Sequence, residues 1–315
     1  MTILEEMQAA FPVRKTRRQK EAFRQWAVAR AKREGYSASV EQNGGLGKSR
    51  NVVIGNPEEA EIIFTAHYDT PPRMLLPNLL LPRSIPLYLL YQLAVVAFFL
   101  AAAVAAGGAA ALLGADGTLA FRLGWLVYCA LLLLMMFGPA NPHNANDNTS
   151  GTATVLALMA AKAAKERPRV AFILFDNEEK GTLGSRAYAR EHPLVRDERL
   201  VINLDCVGVG EHLLFLAPEK VRQMPCYECM EKALTEDEAS GAVFLPLEKS
   251  RFPSDQRNFR RGVGVCACRK GPRIGYYCAK IHTRHDIQCD QGNLVRLTGM
   301  LCRLMETTGE GGQSA

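Results

Sequence analysis

Arg169 to Ser185 reads RVAFILFDNEEKGTLGS, and the reading of this stretch decides how the rest of the chain is arranged. Val170 to Phe175 is an unbroken apolar run rich in strand formers, the pattern of a strand buried on both faces of a sheet. Acid follows at once, as Asp176, Glu178 and Glu179, after which Gly181 and Gly184 turn the chain into a helix continued by Ser185 to Ala189. Open α/β sheets bind their ligands beyond the carboxyl ends of the strands, so chemistry is expected here. Adjacent glutamates repel each other, and a cation, either a metal ion or a guanidinium, is the natural compensation. A solvated acidic loop would have the same local sequence, so the decision rests on what lies around it.

Other apolar runs end in the same way. Glu61 to Thr70 reads EIIFTAHYDT, a second buried strand that closes on His67 and Asp69. Residues two apart on an extended chain point the same way, which lets one ligate a metal while the other holds its imidazole from behind. Leu200 to Asp205 is a third such strand ending in a carboxylate, and Asp147 lies in the polar run Asn144 to Gly151. That run leads into a helix expected over Thr152 to Lys165, with Thr149 or Ser150 as its cap. His282 lies in Ile281 to Asp286, ahead of a last helix over Gln291 to Met305. Nearer the start, Phe23, Trp26, Ala27 and Ala31 recur at helical spacing within Thr16 to Gly35. Tyr36 to Gln42 and Asn51 to Ile54 read as a hairpin turning at Asn43-Gly44-Gly45. With strands at His212 to Leu216 and Val263 to Cys266 and a helix over Val221 to Leu234, strands and helices alternate in the α/β manner.

Between these elements the composition changes abruptly. Ile85 to Ala115 contains no charged residue, and after Asp116 and Arg122 a second uncharged run extends from Leu123 to Ala140. A spanning helix needs about 20 apolar residues, so the two runs read as a transmembrane hairpin occupying residues 84–140, inserted into one body made of 1–83 and 141–315. A helical pair buried in a large soluble core is the alternative. Gly107-Gly108 is expected to end or loosen the first helix, and Tyr88, Tyr91, Trp125 and Tyr128 to act as interfacial anchors. Arg73, Arg83 and the basic N-terminal segment precede the first span while the turn holds only Arg122, which favours a multi-pass membrane protein with a cytoplasmic body. Nine cysteines and a start, MTILEEMQAAF, without the features of an export signal favour a reducing compartment and free thiols. The formal charge is +6, and Arg14, Lys15, Arg17, Arg18 and Lys20 alternate with other residue types, so a solvated helix face is expected and no nucleic-acid site.

His67, Asp69, Asp147, Glu178, Glu179, Asp205 and His282 form a set of imidazoles and carboxylates without a thiolate, which suits zinc or another divalent first-row ion. Five ligands suffice for two ions sharing one bridge. Ala66-His67-Tyr68-Asp69-Thr70, Asn146-Asp147-Asn148 with Ser150-Gly151, Glu178-Glu179-x-Gly181-x-x-Gly184-Ser185, Asn203-Leu204-Asp205-x-x-Gly208, Ser254-Asp255 and His282-Thr283-x-x-Asp286 follow in order on both sides of the apolar insertion. Taken together they resemble the co-catalytic di-zinc aminopeptidases, a family that also contains carboxypeptidases, glutaminyl cyclases and the non-catalytic transferrin-receptor ectodomain. The resemblance implies a three-layer sandwich with a mixed, mostly parallel central sheet flanked by helices. It implies one zinc on His67 and Asp205, another on Glu179 and His282, Asp147 bridging them, Asp69 orienting His67, and Glu178 as general base.

The expected activity is therefore that of a membrane-anchored aminopeptidase acting on peptide or protein N-termini near the bilayer. The chain departs from the family where a short loop is replaced by the hairpin. Two other readings remain: a catalytically silent membrane scaffold on the same fold, and a glutaminyl-cyclase-like acyltransferase. Those cyclases use a single zinc, and Asn146-Asp147-Asn148 with the full ligand set argues against them. His285 is expected off the metal, and His143, His192 and His212 fit none of the motifs. Cys226-x-x-Cys229 and Cys266-x-Cys268 begin a helix and lie in a strand respectively, so packing is expected of them, not a structural zinc.

Overall fold

The structure is a computed structural model that describes residues 1–315 except 46–47, 75, 77, 166–168, 237–240 and 309–315. Its strands are β1 (Ala38–Asn43), β2 (Ser49–Ile54), β3 (Ile62–His67), β4 (Asn78–Leu80), β5 (Val170–Phe175), β6 (Leu200–Leu204), β7 (His212–Ala217), β8 (Ala242–Pro246), β9 (Gly262–Gly271) and β10 (Gly275–Ile281). The helices are α1 (Ile3–Ala10), α2 (Arg17–Arg33), α3 (Ile85–Leu112), α4 (Gly117–Phe137), α5 (Gly151–Ala160), α6 (Lys162–Lys165), α7 (Leu183–Glu191), α8 (Pro193–Glu198), α9 (Glu219–Arg222), α10 (Tyr227–Thr235) and α11 (Gln291–Thr308).

All the strands join one mixed sheet. Its centre is parallel, in the order β5-β3-β6-β9; at its margins β1-β2 on β5 and β7 and β10 on β9 are antiparallel, while β8 runs parallel to β7. The expected parallel character thus holds for the four central strands. β5 shows why its sequence has no polar alternation, because both faces are covered. Val170, Phe172 and Leu174 pack under α1, α2, α5 and α11, while Ala171, Ile173 and Phe175 face Tyr188 and Ala189 of α7 and Val195 of α8. Helices therefore lie on both faces of a mixed sheet, the three-layer arrangement expected.

Several local expectations are corrected. The helix expected over Thr152 to Lys165 breaks at Ala161, whose ψ of 146° is extended, and neither Thr149 nor Ser150 caps it. Ser150 Oγ instead donates to Asn146 O, and Asn148 Oδ1 accepts the Gly151 N–H at 3.0 Å. The helix expected over Val221 to Leu234 is split into α9 and α10. Arg14 and Lys20 are buried and do not lie on a solvated face. Gly107 and Gly108 do not end α3, which runs on to Leu112.

α3 and α4 are long and apolar enough to cross a membrane, and only 17% and 11% of their most apolar windows are buried, so they are not a helical pair enclosed in the core. They pack on each other through small residues. A Cβ on Gly107 would lie 2.9 Å from Ala120 O, and one on Gly124 2.7 Å from Ala103 O. Where the pair joins the body the two chain segments are zipped together. Arg73 N–H donates to Pro139 O at 2.8 Å, Asn141 N–H donates to Pro71 O at 2.9 Å, and Pro72 and Ala140 form an antiparallel bridge.

Candidate metal centre

The parallel strands deliver their next residues to one edge of the sheet. His67 is the last residue of β3, and Asp69 follows two residues later. Asp205 follows β6, and Glu178 and Glu179 follow β5 after Asn177, whose φ of 56° turns the chain back across the edge. Asp147 arrives from the irregular stretch before α5, and His282 from the end of β10 with φ 61°. All seven side chains singled out in the sequence converge here.

Asp147 stands between two groups. Its Oδ1 lies 3.3 Å from His67 Nε2, and that nitrogen is 3.7 Å from Asp205 Oδ1. Its Oδ2 lies 3.0 Å from His282 Nε2, which is 3.4 Å from Glu179 Oε2. One donor atom from each of His67, Asp147 and Asp205 falls within 4.8 Å of the others, as does one from each of Asp147, Glu179 and His282. Glu178 forms a third such group with His67 and Glu179. Asp205 Oδ1 and Glu179 Oε1 are buried without a hydrogen-bond partner, a costly state for a carboxylate that lacks a cation.

Asp69 Oδ1 lies 3.5 Å from His67 Nδ1. Its two oxygens accept the N–H groups of Glu178 at 3.0 Å and Glu179 at 3.3 Å, so it fixes the acidic turn. Asp286 does the same for the stretch carrying Asp147, accepting from Asn146 N at 2.9 Å and Asp147 N at 3.0 Å. The sequence placed Asp286 in a motif without giving it this work. Arg14, expected on a solvated face, is buried beside the site. Its guanidinium donates to Tyr68 O at 2.6 Å, Phe11 O at 2.7 Å, Thr149 Oγ1 at 2.9 Å and Asn144 Oδ1 at 3.1 Å, tying the end of β3 to the stretch that carries Asp147.

The electrostatics follow from crowding. Burial, opposed by His67 and reinforced by Asp255, Asp205 and Asp69, pushes the Glu178 carboxyl well above its usual range. Glu179 moves the same way through burial and its neighbours Asp147 and Glu178. Asp147 goes down: burial acts against it, but His282 and His67 outweigh burial. Burial opposes the charged form of His67, yet Asp147, Asp205 and Asp69 together raise it well above the ordinary imidazole. Asp255, hydrogen-bonded to Ser185 Oγ behind the site, is pushed up to about 7, chiefly by burial. His285 is exposed and takes no part in these groups, and all nine cysteines are free thiols.

The family model of peptidase family M28 matches residues 134–301, just over half of the chain. The vacuolar membrane protease of Candida glabrata is 29% identical over 119 residues, which are 38% of this chain and only 12% of that protein. Among solved structures, a Porphyromonas gingivalis glutaminyl cyclase superposes with a TM-score of 0.62 at 13% identity, covering 98% of this chain and 97% of its own. The LapA aminopeptidase of Legionella pneumophila gives 0.56 at 14% identity, with coverage of 97% and 70%. A leucine aminopeptidase precursor from Bacteroides thetaiotaomicron gives 0.56 at 15%, with coverage of 96% and 94%. At these identities the structural likeness is one of fold.

Proposed function

The chain belongs to peptidase family M28, and from that premise we propose that it is a membrane-embedded metalloaminopeptidase. In this reading residues 1–83 and 141–315 form the catalytic body and residues 84–140 a transmembrane hairpin. Its substrates are the N-termini of peptides or proteins at the bilayer surface. The observation that carries the reading is the division of Asp147 between two histidine-carboxylate groups, Oδ1 towards His67 and Asp205, Oδ2 towards His282 and Glu179.

The donors fit a pair of zinc or other divalent first-row ions. They are all imidazole and carboxylate, and the orphaned oxygens of Asp205 and Glu179 lack only a cation. His67 and Asp205 would hold one ion, Glu179 and His282 the other, and Asp147 both. When bound, the ions supply Lewis acidity, making a water acidic near neutral pH and polarising the scissile carbonyl. Glu178 performs the proton chemistry. Its side-chain oxygen takes the proton of the attacking water and then delivers it to the leaving amine. Asp69 holds His67 and the backbone of Glu178 in one arrangement, and the surplus of carboxylates favours a substrate that presents a free α-ammonium group.

The test is metal content of the purified protein, before and after chelation, together with hydrolysis of aminoacyl-arylamides in added zinc or cobalt. Glu178→Gln keeps the shape and the metal and lowers turnover by about 10²–10⁴-fold. Turnover that survives this change would remove Glu178 as the general base, and a protein that holds no metal and hydrolyses nothing would return the catalytically silent scaffold as the better account.

A further inference from the structure

The neck of the hairpin does not stand beside the metal centre but reaches into it. His282 follows directly on β10, whose Ile281 pairs with Asn78 of β4 in the segment leading to α3. From the same segment Met74 donates its N–H to His282 O at 2.7 Å. From the other side of the neck Asn141, fully buried, donates through Nδ2 to Thr283 O at 2.9 Å and also to His143 O. Both lips of the neck thus bond to the carbonyls of two consecutive residues, one of them a candidate ligand.

The turn that carries them needs holding. His282 has φ 61° and Lys280 φ 73°, left-handed conformations that residues with a Cβ rarely adopt and that persist only where the surroundings over-determine them. Here the local turn supplies Thr283 Oγ1 and N–H donating to Lys280 O at 2.6 and 3.3 Å and Asp286 N–H donating to Thr283 O at 3.1 Å, and the neck adds the bonds from Met74 and Asn141. His67, by contrast, is the last residue of a strand paired on both sides and owes nothing to the insertion. The two halves of the metal centre are therefore built differently, one by the sheet and one by the sheet together with the hairpin's base.

We propose that the hairpin is a structural component of the metal centre as well as an anchor, with Asn141 as the positioning residue through which its neck fixes His282. The inference rests on the two-ion reading above and assigns the insertion's effect to one ion of the pair, the one held by Glu179 and His282. Loss of a positioning partner behind a metal ligand costs about 10–100-fold in affinity.

The experiment titrates the full-length protein in detergent with Co²⁺, following stoichiometry and visible absorption. Wild type takes up two ions. Asn141→Leu and Asn141→Asp, which remove the neck's donor to Thr283 O and leave that from Asp286, weaken one of the two by about 10–100-fold and leave the other unchanged. In wild type, where folding is not in question, reciprocity requires that Co²⁺ slow amide exchange in the peptide containing Met74. Variants that bind both ions like wild type overturn the proposal, as does exchange around Met74 that is indifferent to Co²⁺. If a variant fails to fold, the exchange measurement decides alone. A wild type that binds no Co²⁺ refutes the metal reading itself and is distinguished from failure of the positioning role by that first titration.

Discussion

Arg14 lies between α1 and α2, in a link with neither helical nor strand period, so nothing in its sequence context separates it from the more exposed Lys15 or Arg17 beside it. Folding gives it four acceptors in three separate segments of chain, together with the nearby charges of Asp69 and Asp147. Burial lowers the guanidinium, those carboxylates act against burial, and the net result is about 10, so it remains a cation at neutral pH. A planar donor with five N–H groups suits this role and an ammonium does not. Arg14→Met leaves Tyr68 O, Asn144 and Thr149 short of a donor and two buried carboxylates short of a cation. The expected loss is about 3 kcal/mol of stability in denaturant unfolding. Arg14→Lys should fall between that variant and wild type, and a methionine variant within about 0.5 kcal/mol of wild type would remove this role from Arg14. The contrast with the ligands is instructive. His67, Glu178, Glu179 and Asp205 were legible because each follows an apolar run that can only be a buried strand. Arg14, and the work of Asp286, depend on which loops the fold brings together, and that is not written locally.

The elements divide along the same line. The strands of the sheet's centre announced themselves by unbroken hydrophobicity, and α2 by its period, while Thr16 and Gln19 add a capping box that the structure brings out. α1 bears the same box, Thr2 with Glu5, a signal present in the sequence but too short in its apolar period to stand out. What hydrophobicity could not reveal is how α3 meets α4. Ala103 and Gly107 on one helix, and Ala120 and Gly124 on the other, are small residues four apart, the spacing that lets two backbones approach within a bilayer. Gly107 was read as a breaker because glycine weakens a helix in water; between two apolar helices its missing Cβ serves packing instead. Gly124→Ile places a side chain 2.7 Å from Ala103 O and forces the helices apart, whereas a Cβ on Gly108 meets nothing within 4 Å. Gly124→Ile should therefore destabilise the detergent-purified protein by about 1–3 kcal/mol. Gly108→Ile is its matched control and should do so by about 0.5 kcal/mol or less. Equal melting temperatures for the two variants would mean that this crossing does not hold the pair together.

For the whole molecule the decisive fact is where the insertion leaves and re-enters. Both ends lie at the ligand-bearing edge, between His67 and Asp147, so the body stays on one side of any membrane that the hairpin crosses. The cations say which side. Lys15 Nζ donates to Gly138 O at 2.8 Å just past the end of α4, and the Arg251 guanidinium sits 5.5 Å from the Tyr88 ring in the first turn of α3. With Arg73 and Arg83 they form a basic collar at the base, and the opposite end carries Asp116 and one cation, Arg122. Positive charge tends to be retained on the cytoplasmic side, which predicts that the body and its candidate metal centre face the cytoplasm. Cys229 makes this testable, being exposed on α10 while most other thiols are covered. In cells expressing the protein, a membrane-impermeant maleimide should label Cys229 only after permeabilisation, and the Cys229→Ser variant should lose that signal. Labelling of intact cells that disappears in the serine variant would put the body outside. The collar would then have to be explained by contacts with acidic partners at the outer surface, and the substrates would be extracellular peptides.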